Sequence, residues 1–156
     1  RIIFTREIMG YEFVKLRQDG EPNRVHDVND QNYFRLNQEL IGRARMLSLW
    51  GAGVLLNTDM LNYTMISNSL LASNPTIEQA HAVHKLPDET MTEWIKPFTD
   101  NNEKAVSREH CYAFASNLEN ALTQILDSPV KPDYETDILW AFMAYLTSCT
   151  YGVWVE

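Results

Sequence analysis

The chain has 156 residues, 45% hydrophobic and 22% charged, which suits one globular domain with a core able to stand without metal or disulfide staples and excludes long intrinsic disorder. A formal net charge of -8 repels phosphate backbones and anionic lipid headgroups, so neither nucleic acid nor a membrane is expected as a partner. The pairs Arg43/Arg45 and Lys15/Arg17 are diluted by apolar neighbours and make no basic patch.

Residues 1–28 read as a small β-hairpin element. Ile2, Ile3 and Phe4 are β-formers, and Tyr11, Phe13, Val14 and Leu16 interleave with Glu12, Lys15 and Arg17 ahead of the turn signal Asp19–Gly20. Arg24–Val28 is the expected returning arm, with Pro22 limiting pairing near the turn.

From residue 29 to 150 the apolar spacing changes to three and four, which predicts a bundle of about five or six helices. Asn29 or Asp30 is the expected cap of a long first helix, with Tyr33, Leu36, Leu40, Ala44, Leu47, Gly51 and Val54 on one face and Phe34, Ile41 and Trp50 broadening it. Gly42, Gly51 and Gly53 each weaken a helix by about 1 kcal/mol relative to Ala. Close approach by another helix is the expected compensation, and a kink the alternative. Asn57–Asp59 then read as a second cap before Met60, Leu61, Met65, Ile66, Leu70 and Leu71, although one rod from Asp30 to Ala72 fits the same stripe. Thr76 opens a short helix ended by Pro87, and Asp88 opens another that carries Met91, Trp94 and Ile95 towards Pro97.

Ser107–Leu126 is the cleanest amphipathic segment. Cys111, Phe114, Leu118, Ala121, Leu122 and Ile125 form one stripe, Ser107 is placed to cap the start, and Glu109 sits at the positive end of the dipole. Tyr134–Thr150 is the most apolar segment and is expected to be the most buried helix; Gly152 is placed for a left-handed stop. Residues 151–156 read as a strand-like tail that can pair with the N-terminal strands and bring the two ends together. The sequence therefore predicts a mainly α, single-domain helical bundle spanning 1–156, with a β-hairpin at 1–28, the bundle at 29–150 and a tail at 151–156.

Several constellations bear on chemistry. Glu78, His81 and His84, at successive spacings of three, fall on one side of a predicted helix, and with His110 they could hold zinc or iron. Two-histidine zinc helices use a spacing of four with a glutamate between, and di-iron bundles repeat Glu-x-x-His on two helices, so a partly exposed helix surface is the favoured reading and no cofactor is expected. His110 and Cys111 are adjacent, which on a helix turns them about 100° apart and supplies no contact; Cys111 belongs to the apolar stripe. Asp88/Glu89 and Glu135/Asp137 sit in first turns, where the dipole accounts for them. Phosphate loops, nucleophile elbows and kinase signatures are absent.

Cys111 and Cys149 suit two buried thiols in a reducing compartment, hence a soluble, cytoplasmic protein. The longest apolar run, Met46–Leu56, is too short to cross a bilayer. Asn62–Thr64 matches a glycosylation sequon at a rate close to chance. A start at Arg1 fits a processed product or a piece of a larger protein. Among the aromatic residues, Trp94 and Trp154 are expected to be the most exposed and so are the candidate interface residues. These features favour a non-enzymatic protein-binding module of inhibitor, immunity, chaperone or assembly-subunit type, with a protein partner or self-association through an acidic, aromatic-rich surface. The alternative is a metal-dependent helical enzyme or sensor built on Glu78, His81, His84 and His110. An acidic nucleic-acid mimic, a third possibility, requires carboxylates concentrated on one face.

Overall fold

The computed structural model describes residues 10–26, 31–55, 92–126 and 135–156, the side chains of 125, 126 and 135 excepted. They form four strands, β1 (Tyr11–Lys15), β2 (Tyr33–Leu36), β3 (Lys104–Val106) and β4 (Val153–Val155), and three helices, α1 (Gln38–Gly51), α2 (Arg108–Leu126) and α3 (Glu135–Thr147). The strands make one antiparallel sheet in the order β2-β1-β4-β3. This mixed α and β architecture overturns the expectation of a mainly α bundle of five or six helices.

The sheet grows from alternation. Tyr11 and Phe13 point to the helices and Glu12 to the other side, as the two-residue repeat of a strand dictates. The return is not the one the sequence suggests. Leu16 bridges Pro22, the Lys15 carbonyl accepts from the amide of Asn23, and the Lys15 amide donates to the carbonyl of Asn32. Tyr33–Leu36, not Arg24–Val28, is the second strand, with Phe34 opposite Phe13 and Arg35 opposite Glu12. These residues were expected inside the first helix. Their aromatic, β-forming side chains are satisfied by pairing with β1, and the helix begins only where Asn37 offers a cap, its Oδ1 accepting from the Leu40 amide at 2.8 Å. The C-terminal tail does pair as its composition suggests: Val153–Val155 lies against β1 on one side and β3 on the other.

α1 also ends early. Gly53, with φ of +79°, lies just past the Ala52 cap, and the Val54 amide returns to the Leu49 carbonyl, so no continuous rod runs from Asp30 to Ala72. Gly51 explains its own presence: a Cβ there would lie 2.0 Å from the Asn117 carbonyl oxygen of α2. The expectation of a short helix through Met91, Trp94 and Ile95 gives way to a turn at 93–95 and a 3-10 turn at Lys96–Phe98 that contains Pro97. The helices predicted between 57 and 87, and the strand at Ile2–Phe4, lie outside the described residues.

α2 is the organising helix, packed extensively against both α1 and α3, which touch each other little. Ser107 caps it, its hydroxyl accepting from the His110 amide at 3.2 Å, and Cys111, Phe114, Leu118, Ala121 and Leu122 are all buried. All three helices cover one face of the sheet. At the junction Phe13 meets Phe142 at 4.9 Å between ring centroids, Phe34 meets Phe142 and Tyr145 at 5.4 and 5.3 Å, and Phe114 meets Phe98 at 4.3 Å. Each such ring contributes about 1.5–3 kcal/mol by burial. α3 is not the most buried helix. Its stripe of Leu139, Phe142, Tyr145 and Leu146 is covered, while Ile138, Ala141 and Ala144 stay exposed; α1, buried along most of its length from Leu40 to Leu49, is covered more fully.

Candidate functional site

Among the described residues, the helices lie against one face of the sheet and none lies against the other. Two cross-strand rows run over this outer face. The first places Tyr33, Val14, Trp154 and Ala105 side by side on β2, β1, β4 and β3. The second places Arg35 and Glu12 opposite each other and continues to Glu156, whose amide donates to the Glu12 carbonyl and whose carbonyl accepts from the Glu12 amide.

The charged row is ordered by its own ion pairs. Arg35 Nε donates to Glu12 Oε2 at 2.5 Å. Arg24 grips Glu156 with both terminal nitrogens, at 2.6 and 3.1 Å, and Trp154 Nε1 donates to the same carboxylate at 3.0 Å. Because Asn23, next to Arg24, bonds Lys15 on the β2 side of β1 and Glu156 lies on its β4 side, the Arg24–Glu156 pair makes a strap across the outer side of β1. Val14, between Tyr33 and Trp154 in the first row, is fully buried. His26 is stacked on the Tyr33 ring at 4.6 Å.

Beyond the strap the face opens into a groove of about 440 Å³, lined by Gly10, Glu12, Arg35, Asn37, Glu103 and Glu156. Gly10, with φ of +128°, is required at its inner end, where a Cβ would lie 2.0 Å from the Leu36 carbonyl oxygen. The hydrogen bond from Arg24 holds the Glu156 carboxyl below its ordinary range, in spite of partial burial. A general acid working near neutral pH needs the opposite shift. The groove is thus suited to accept hydrogen bonds and to pair with cations. With Arg35 among its three glutamates, and Arg24 paired to one of them, it is not a phosphate-like line of negative charge.

Three of the sequence candidates, Trp94, Trp154 and His110, lie among the described residues. Trp154 is half-buried on the outer face; Trp94 is half-buried on the helix side, edge-on to Phe114 at 6.2 Å. The fold therefore does not bring the two candidate interface residues together. His110 lies in the first turn of α2, and Glu78, His81 and His84 lie outside the described residues. Among the described residues no three His, Cys, Asp or Glu side chains are grouped to hold a metal ion. Cys111 and Cys149 are both buried free thiols, and burial pushes the Cys149 thiol up to about 12 and the Cys111 thiol upward as well. No described helix is long and apolar enough to cross a membrane.

Sequence reasoning missed Arg24, Arg35 and Glu156. The alternation around Glu12 signalled an outward carboxylate, but its partners come from other strands, and strand pairing leaves no local mark in the sequence. Comparisons with protein-family models, with curated proteins and with solved structures find no match to this chain.

Proposed function

We propose that the protein is a non-enzymatic protein-binding module that meets a basic partner segment through the outer face of its sheet. One observation carries this reading. The outer face of the sheet presents two half-exposed aromatic side chains, Tyr33 and Trp154, beside carboxylates already oriented by arginines. Rigid aromatic area next to pre-aligned polar groups lowers the ordering cost of association, and Tyr, Trp and Arg are the residues in which binding energy concentrates. Charge supports a basic occupant: Glu103 is exposed at the groove, and the chain as a whole carries -8. A cytoplasmic setting belongs to the same proposal, supported by two unpaired, buried thiols.

Photo-crosslinking tests it. A benzophenone amino acid placed at Tyr33 or Trp154 is expected to yield the same adducts from both positions, and these adducts are expected to disappear in the Glu103→Lys background. Equal adducts from a benzophenone at Ser116, on the exposed side of α2, or none from the sheet positions, overturns the proposal.

A further inference from the structure

We draw no further inference here: the strongest candidate, the outward side of α3 where Ile138, Ala141 and Ala144 are exposed, is an unpartnered helix face, and nothing in the structure shows what covers it.

Discussion

Arg45, 1% exposed in the middle of α1, donates from Nη1 to the carbonyl of Phe98 at 2.8 Å and so fastens the 3-10 turn to the helix layer. The same guanidinium bonds the phenol of Tyr11, whose pKa burial raises while Arg45 opposes the rise. A buried cation is retained only where its donors are used, because removing it from water is costly.

Arg45→Met keeps the volume and removes the donors, leaving the Phe98 carbonyl and the Tyr11 hydroxyl without that partner. The expected loss of stability is about 2–4 kcal/mol, with Arg45→Lys recovering only part of it because an ammonium lacks the planar fork. Urea unfolding followed by tryptophan fluorescence measures both.

Gly51→Ala separates two opposing effects. Helix propensity alone predicts a gain of about 1 kcal/mol, whereas a methyl group 2.0 Å from the Asn117 carbonyl oxygen must force α1 and α2 apart. The net expectation is a loss of about 1–3 kcal/mol, with the bond from Asn120 Nδ2 to the Gly51 carbonyl, now 2.6 Å, also disturbed. A rise in melting temperature on this substitution contradicts the close approach.

The Arg24–Glu156 pair predicts an acid-range dependence. The folded-state pKa of Glu156 lies below its ordinary 4.5, so its contribution is complete above that value and is lost as pH falls through the folded pKa. Stability of the parent protein is expected to fall more steeply on acidification below that value than stability of Arg24→Met. At neutral pH the variant loses no more than about 1 kcal/mol, because the Arg24 side chain is half exposed. Parallel acid limbs in denaturant titrations across this window refute the assignment.

Both cysteines are expected to be inert in the folded state, since the thiolate is the reactive species and burial suppresses it. Titration with a chromogenic disulfide reagent is expected to detect neither thiol in native buffer and both in guanidinium. Fast native labelling of Cys111 contradicts the packing of α2 described above.

The sequence makes α2 plain because its signals agree: Ser107 caps, Glu109 favours the first turn, and Cys111 to Leu122 repeat at helical spacing. β2 is hidden because Leu36 and Leu40 are buried in either assignment, so the run from Tyr33 continues the helical stripe while its aromatic residues suit a strand equally well. β3, at Lys104–Val106, is three residues in a polar run and has no period of its own to detect. Of the outer face, only Glu12 and Trp154 are visible in local patterns. The pairing that joins them to Arg35 and Arg24 is a property of register, fixed when distant segments meet.

The placement of Val153–Val155 between β1 and β3 has a consequence for synthesis. Neither neighbour can be joined to the other until a segment made after all three other strands is in position, so closure is held back by the slow search that distant pairings impose. A chain halted before Gly152 keeps two naked strand borders open to other molecules, which makes stalled or clipped products the forms most prone to clump.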